Sequence, residues 1–351
     1  MNTFLAANTC SGFYSLFSQM TEKTDHNILL IKGGPGTGKS SLMKRFAERA
    51  QSKGMTVEKM HCSSDPSSLD GIWVKEKKLI LLDATAPHCA DPRYPGAVEQ
   101  ILPLGEFWDR DKLISHRKQI ISLTTQISSV FKRIYTLLSA AGSLRRTTEQ
   151  LIRPCFDQNK ADKMITKFLS LQGAVHTGKK ARVQQRFISA LSNSGYLLYE
   201  DALSECKNVL LLEDNYDCAH LFTALVDQKL EQLGYDRLQL LCPLEPDKID
   251  HIIVKDLSLA IISQNFRSLW QSDLPIIKTV QMRQLTDTKA LSAHKSKLTF
   301  YKKLCKSLYD EVFGLLASEK TLHDKLEQYY ILAMDFEGLE RQTQHLIDKL
   351  I

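Results

Sequence analysis

Residues 27–45, NILLIKGGPGTGKSSLMKR, place an apolar strand pattern, a glycine-rich turn and an amphipathic helix pattern in direct succession. The apolar run 28–31 predicts a buried strand, and apolar residues at helical spacing predict a helix over 39–52. A strand, turn and helix in this order form the centre of an α/β sheet, so the stretch constrains the fold around it. The turn fits the pattern G-x-x-x-x-G-K-[ST] at Gly33, Gly38, Lys39 and Ser40.

The turn has the residue types that hold a phosphate group. Its glycines let successive backbone N–H groups point into one concavity at a helix N-terminus, where the helix dipole attracts an anion. Lys39 can reach the β and γ phosphates of a nucleotide, and the Ser40 hydroxyl can bind Mg²⁺. A plain glycine turn is the alternative, but the flanking strand and helix favour phosphate binding, with ATP and Mg²⁺ as predicted cofactors. The predicted binding residues are Gly33, Gly34, Pro35, Gly36, Thr37, Gly38, Lys39, Ser40 and Ser41.

A second motif, KLILLD at residues 78–83, ends an apolar strand with Asp83. This pattern places a carboxylate beside a Mg²⁺ ion held by Ser40. The two motifs together resemble the P-loop NTPase superfamily, and GGPGTGKS is similar to the loop of AAA-type ATPases. The resemblance implies an ATPase in which Lys39 and Asp83 act in catalysis. AAA-type motors usually have a glutamate directly after the aspartate, whereas this chain has Ala84, so a fast motor is not expected.

The sequence leaves open which group would activate the attacking water. The segment 61–71 follows a predicted strand and should face the phosphates, because the carboxyl ends of strands line the ligand crevice of α/β sheets. We predict Asp65 and His88 as catalytic residues, with ordinary turn chemistry as the alternative for the aspartates. The full set of candidates is His61, Asp65, Asp70, Thr85 and His88.

The bulk composition is that of a globular protein. A length of 351 residues is enough for two domains, and a net charge of +6 is too small to indicate nucleic acid as the main partner. The eight cysteines are scattered without a C-x-x-C pair, which favours free thiols in a reducing cytoplasm. Neither a signal-peptide pattern nor an apolar run of about eighteen residues is present, so no membrane span is expected.

The chain also repeats itself. NVLLLEDNYDCAHLF at 208–222 aligns with residues 27–41, and LCPLEPDKIDHIIVK at 241–255 aligns with HCSSDPSSLDGIWVK at 61–75. A long helical pattern recurs as well. These matches run in order along the chain, so we predict two copies of one domain, 1–178 and 179–351.

The second copy lacks the chemical groups of the first. His220 replaces Lys39, Leu221 replaces Ser40, and Ser263 replaces Asp83. Carboxylates in the turn would repel a triphosphate at close range, so we expect this copy to keep the fold without binding ATP in the usual way. The glycines become Asp214, Asn215, Asp217 and Ala219.

Each copy carries a helical extension, at about 107–172 and 281–350. Apolar residues alternate at spacings of three and four over 120–137, typical of a coiled hairpin, and Gly142 is predicted to end the first helix. Arginines 145, 146 and 153 could close over phosphates, although a solvated helix face is the alternative. The predicted fold is α/β: tandem P-loop domains, each a mostly parallel sheet flanked by helices with a helical hairpin.

This arrangement resembles a group of bacterial tandem P-loop proteins across nearly the full chain. The resemblance rests on GGPGTGKS, HCSSDPSSLDG and the segment DATAPH followed by DPRYPGAVEQILPLG. It implies ATP binding and slow Mg²⁺-dependent hydrolysis by the first copy, and it names no substrate. A nucleotide-gated switch that grips a protein partner with its helical arms is one alternative. A small-molecule or nucleotide kinase is the other.

Overall fold

The computed structural model describes residues 1–265, 267, 270, 271 and 273–351. Within these residues the chain forms two six-stranded sheets of mixed direction, each with helices packed against it, and two short hairpins. The α/β class predicted from the sequence is therefore confirmed. No helix in this part of the chain is both long and apolar enough to cross a membrane.

The first half of the chain supplies one sheet and five helices. The strand predicted over 28–31 and the helix predicted over 39–52 are present as β4 and α2, and β4 lies one strand in from the edge of the sheet and not at its centre. The strands are β1 (Asn2–Phe4), β2 (Ala6–Thr9), β3 (Gly12–Ser15), β4 (Asn27–Lys32), β5 (Val57–His61), β6 (Leu69–Val74), β7 (Leu79–Asp83) and β8 (Glu99–Pro103). The helices are α1 (Ser18–Thr21), α2 (Lys39–Ser52), α3 (Arg110–Ser115), α4 (Arg117–Ile152) and α5 (Gln158–Leu171).

The strand order of this sheet is β1-β5-β6-β7-β4-β8. Strand β6 is antiparallel to both of its neighbours, and the remaining pairs are parallel. The sequence missed β6, which lies in the segment 61–71 and beyond. A tight turn reverses the chain there, and it is closed by the amide of Ser68, which donates to the carbonyl of Asp65 at 2.9 Å. The sheet is therefore mixed, with one reversed strand in an otherwise parallel set.

The second half supplies a sheet with the corresponding strand order, β16-β12-β15-β14-β13-β9 when read from the opposite edge. Here too the strand next to one edge is followed by a helix, and the one reversed strand lies between two strands that run in the other direction. The strands are β9 (Val183–Arg186), β10 (Ser189–Ser192), β11 (Gly195–Leu198), β12 (Asn208–Glu213), β13 (Arg237–Leu241), β14 (Ile249–Val254), β15 (Leu259–Gln264) and β16 (Ile276–Gln281). The helices are α6 (Ala219–Leu233), α7 (Thr288–Ser292), α8 (Lys295–Ile331) and α9 (Phe336–Leu350).

The helical extensions differ from the predicted hairpins. Helix α4 continues through Gly142 to Ile152, so the predicted break at Gly142 is wrong. A Cβ atom at Gly142 would lie 2.5 Å from the Cβ of Cys10, so this glycine permits a close contact with the N-terminal segment and does not end the helix. The long helix packs antiparallel against α8 of the other half: Ala141 lies beside Cys305, and His116 lies beside Tyr329.

The short helices cross over between the halves. Helix α5 of the first half buries Ile165 and Phe168 against Phe222 of α6 in the second half. Helix α9 of the second half buries Leu339 and Ile347 against α2 in the first half. A helical hairpin folded within each copy would have kept these contacts local, so each sheet instead depends on the other half for one covering helix.

Matched backbone contacts hold this exchange. The amide of Asp109 donates to the carbonyl of Ala333 at 2.7 Å. In the same way, the amide of Asp287 donates to the carbonyl of Cys155 at 2.8 Å. Both aspartates also cap a helix, α3 and α7, by accepting from its first amides. An aspartate that caps a short helix thus makes a backbone contact across the halves in both directions.

Candidate functional site

The glycine-rich turn joins β4 to α2 and has the backbone conformation that glycine permits. Gly36 has a φ of +69° and Gly38 a φ of +88°, both in the left-handed region that side chains rarely adopt. The hydroxyl of Thr37 donates to the carbonyl of Gly34 at 2.8 Å, which closes the turn on itself. The N-terminus of α2 therefore begins directly from a curled backbone, the arrangement that suits an anion.

Lys39 lies at the centre of this turn. Its Nζ donates to the carbonyls of Gly33 and Gly34, both at 2.8 Å, and lies 3.6 Å from Oδ2 of Asp83. Thr85 links the two motifs, because its hydroxyl donates to the Gly33 carbonyl at 2.9 Å and its amide donates to Oδ1 of Asp83 at 2.9 Å. The structure thus brings together the cation and the carboxylate that the sequence singled out from separate motifs.

Ser40 connects the turn to the strand that the sequence missed. Its Oγ accepts a hydrogen bond from the amide of Leu69, the first residue of β6, at 3.0 Å. The hydroxyl oxygen and the Asp83 carboxylate are the hard oxygen ligands that Mg²⁺ prefers. Ser41 is exposed on the outer side of α2.

Asp70, the next residue of β6, lies in the same buried cluster. Gly71 pairs with Leu82 in the antiparallel ladder, so Asp70 comes opposite Asp83 where the two strands reach the turn. Oδ2 of Asp70 lies 3.4 Å from Nε2 of His88. Burial raises the pKa of Asp70 to about 6, although the nearby His88 acts in the opposite direction.

His88 is held in place by aromatic side chains of the N-terminal segment. Its ring stacks on Phe17 with a centroid distance of 4.7 Å and meets the edge of Phe13 at 5.2 Å. These contacts, made by β3 and the segment after it, fix the imidazole against Asp70. The N-terminal segment of the chain therefore positions a candidate catalytic residue.

Asp65 and His61 are engaged elsewhere. Asp65 accepts from the hydroxyl of Ser67 at 2.6 Å and lies 3.3 Å from Nζ of Lys320 in α8. Although burial by itself would raise it, these contacts hold the pKa of Asp65 below its usual value. His61 contacts the Pro66 carbonyl and the side chain of Asn2. Of the two, only Asp65 borders the site, and it does so as an ion-pair partner.

Residues of the second half complete the surroundings of the turn, and the sequence did not assign them. The end of α8 and the start of α9 lie against the glycines, with Glu327, Tyr330 and Leu339 in closest contact. On α8, His323, Asp324 and Glu327 offer ligand atoms that lie within 4.8 Å of one another and could hold a cation. Only the aligned helical repeat carried a signal for this segment, and it did not reveal which turn the helix covers.

The corresponding turn of the second half is filled by its own carboxylate. Oδ2 of Asp214 accepts from the amide of Ala219 at 2.7 Å, and Oδ1 accepts from the amide of Tyr216 at 3.1 Å. The amide of Ala219, which aligns with Gly38, is therefore already bonded to a carboxylate of the chain itself. Asp214 aligns with Gly33 in the sequence, and it is buried. Burial, with the nearby Asp217 second, raises the pKa of Asp214.

An ion-pair cluster surrounds this filled turn. Asp217 pairs with Nε of Arg145 at 2.7 Å and with Arg267 at 2.6 Å. Glu149 pairs with His220 at 3.1 Å and with Lys248 at 2.8 Å. The guanidinium of Arg145 is therefore buried on the turn of the second half, and the interpretation of Arg145 as part of a solvated face is wrong.

The other two arginines of this helix border a cavity. Arg146 and Arg153 are largely exposed, as a solvated face requires, and Arg153 pairs with Glu149. They line a cavity of about 900 Å³ that reaches from the N-terminal hairpin to His220. The open space beside α4 therefore lies next to the filled turn and not next to Lys39.

Comparison with known protein families relates part of the chain to one of them. The family described as Novel STAND NTPase 3 matches residues 15–86, a segment that includes the glycine-rich turn, Lys39 and Asp83. This relates the first part of the chain to NTPases. No curated protein and no solved structure matches the chain.

Proposed function

We propose that the chain binds Mg²⁺·ATP in its first half. The observation that carries this proposal is the convergence of Lys39, Asp83 and Ser40 on a turn whose glycines adopt left-handed conformations. The NTPase family match over the same segment supports it. The backbone N–H groups of this turn would donate to the phosphate oxygens. A side chain at Gly34 or Gly36 would collide with α8.

The residues present fit the metal as well. Ser40 and Asp83 would hold Mg²⁺, which would neutralise charge on the β and γ phosphates. Lys39 donates to the carbonyls of Gly33 and Gly34. When ATP binds, Lys39 would donate to phosphate oxygens in place of these carbonyls. Its ammonium group would then stabilise the charge of the transferring phosphoryl group.

We further propose that hydrolysis is slow. Ala84 occupies the position where a glutamate would activate water, and it is buried with no proton acceptor of its own. Asp70 is the carboxylate that contacts His88, on the strand next to the one that ends in Asp83. Asp65 accepts from Ser67 within its own turn, whereas Asp70 contacts His88, so we place the activation of water at Asp70, with His88 orienting it.

We propose that the chain consists of two copies of one domain, 1–178 and 179–351, and that only the first takes up nucleotide. The shared strand order and the matched contacts of Asp109 and Asp287 support the duplication. The Asp214 carboxylate supports the loss of binding, because it already accepts from the amides of the second turn. A triphosphate would have to displace a bonded, buried side chain and meet its charge.

One observation favours a switch as the second candidate function. The nucleotide-binding turn of one half contacts α8 and α9 of the other, so a ligand in that turn can alter the packing between the halves. Slow turnover suits such a role, because the bound state would persist. Binding of a protein partner only in the presence of ATP, with negligible phosphate release, would favour the switch over an enzyme.

Isothermal titration calorimetry with Mg²⁺·ATP tests the binding proposal. The Lys39→Ala variant should lose most of the affinity of the unchanged chain. Arg49→Ala is the matched control, because Arg49 is an exposed cation at the far end of the same helix. Equal affinity of Lys39→Ala and the unchanged chain would refute the proposal. Transfer of labelled phosphate to a metabolite instead of water would identify a kinase.

A further inference from the structure

The glycine-rich turn of the first half lies at a junction with the second half. A Cβ atom at Gly34 would lie 2.6 Å from the ring of Tyr330, and one at Gly36 would lie 2.9 Å from the carbonyl of Glu327. These contacts place the last turn of α8 directly over the glycine-rich turn. A ligand held by the turn therefore has α8 as its neighbour.

The second half has the same junction, with α4 in the place of α8. The two long helices align with a shift of 178 residues from Arg117 to Lys295, which places Arg145 at the position of His323. Asp217 aligns with Gly36, and the two share the left-handed conformation, with φ of +60° and +69°. The two junctions can therefore be compared residue by residue.

In the second half an anion is already in place at this junction. The Asp217 carboxylate stands at the turn, and Nε of Arg145 on the covering helix binds it at 2.7 Å. A carboxylate oxygen has the charge and the acceptor character of a phosphate oxygen. The second half therefore displays how the covering helix receives an anion seated on the turn.

At the junction over the turn of the first half, the matching face of α8 carries basic side chains. His323 occupies the position of Arg145, and Lys320 lies one turn before it. Nζ of Lys320 lies 3.3 Å from Oδ2 of Asp65, in the segment that leads to the amide bonded to Ser40. The contact of Lys320 with Asp65 thus holds this face of α8 against the segment that supports Ser40.

We infer that Lys320 and His323, supplied by the second half, bind the terminal phosphate of a nucleoside triphosphate held by the first half. This inference rests on the proposed function. Lys320 would exchange the Asp65 carboxylate for a phosphate oxygen, so occupation of the site would replace one contact between the halves. A diphosphate lacks the terminal group and would leave Lys320 on Asp65.

The test compares the affinities of ATP and ADP, each with Mg²⁺, by calorimetry. Lys320→Ala should weaken ATP binding by about ten- to a hundredfold, the range for a hydrogen bond to a charged group, and change ADP binding less than about threefold. His323→Ala should act in the same direction. Lys320→Arg keeps the charge and should retain the preference for ATP. Lys325→Ala, an exposed lysine on the same helix, is the control and should change neither affinity.

The outcomes separate the two proposals. If the unchanged chain binds neither nucleotide, the proposed function itself fails. If it binds both and Lys320→Ala weakens them equally, or weakens neither, the contact to the terminal phosphate is wrong while nucleotide binding stands. Thermal unfolding of each variant at saturating ADP shows whether a loss of ATP affinity comes from a loss of folded protein.

Discussion

Nε of Arg186 lies 2.6 Å from Oε1 of Glu58, and both side chains are fully buried between the two halves of the chain. Glu58 belongs to β5 of the first sheet, and Arg186 ends β9 of the second. Burial by itself would raise the pKa of Glu58, but the guanidinium of Arg186 holds it below its usual value. The ion pair therefore joins the two sheets, because each buried charge is compensated by the other and neither could be buried alone.

Removing one member of this pair should destabilise the chain strongly. Arg186→Met leaves Glu58 as a buried charge without its guanidinium, and we expect a loss of about 3–5 kcal/mol in the free energy of unfolding. Urea denaturation at pH 7 measures it. Arg182→Met is the matched control: Arg182 pairs with Asp236 at the surface, and removal should cost at most about 1 kcal/mol. Similar losses for both variants would show that the buried pair does not join the halves.

Acid should destabilise the second half through His251. Burial lowers the pKa of this imidazole to about 4 in the folded state, from 6.5. The folded state binds the proton only at a lower pH than the unfolded state does. The free energy of unfolding is therefore unaffected above pH 6.5 and falls as the pH drops from 6.5 to 4. The loss reaches about 3 kcal/mol.

Two-state denaturation of the unchanged chain and of His251→Gln, at several pH values from 7 to 4, measures this effect. As the pH falls, the unchanged chain should lose more free energy of unfolding than the variant, because only the unchanged chain has the buried imidazole. Acid titration of Glu58 affects both proteins alike and cancels in the difference. A difference that does not vary with pH would contradict the prediction.

The local structure of the site could be predicted because neighbouring residues determine it. The apolar run of β4, the glycines and the amphipathic pattern of α2 lie within one short stretch, and the observed bounds match the predicted ones closely. Strand β6 was missed because serine, proline and aspartate before Leu69 indicate a turn, and the reversed strand after it is too short to show periodicity.

The exchange of helices could not be predicted, because an apolar face does not specify which partner covers it. Ile165 on α5 would suit either sheet, and packing against Phe222 of the other half decides the matter. For the same reason the sequence did not indicate Lys320, because its proximity to the glycine-rich turn depends on α8 packing against the first half. One signal was available: Asp109 and Asp287 occupy matching positions before α3 and α7, where helix capping favours aspartate.

Only one nucleotide should bind to each chain. Equilibrium dialysis with labelled ATP and Mg²⁺ should give a stoichiometry near one, because Asp214 fills the second turn. Lys39→Ala should reduce it to near zero. The matched variant of the second half, His220→Ala, should leave it near one. A value near two, or a loss of binding on changing His220 alone, would contradict the assignment of the site to the first half.

Two glycines within the long helices should respond to alanine in opposite ways. A Cβ at Gly142 of α4 would meet the Cβ of Cys10 at 2.5 Å, whereas one at Gly314 of α8 has nothing within 4 Å. Gly142→Ala should therefore cost about 1–3 kcal/mol of unfolding free energy through overpacking. Gly314→Ala should stabilise by about 0.5–1 kcal/mol, because alanine favours an exposed helix interior. Urea denaturation of both variants provides the measurement. Equal stabilisation by both substitutions would mean that α4 does not approach the N-terminal segment closely enough to require glycine, and the contact that seats this helix between the halves would be wrong.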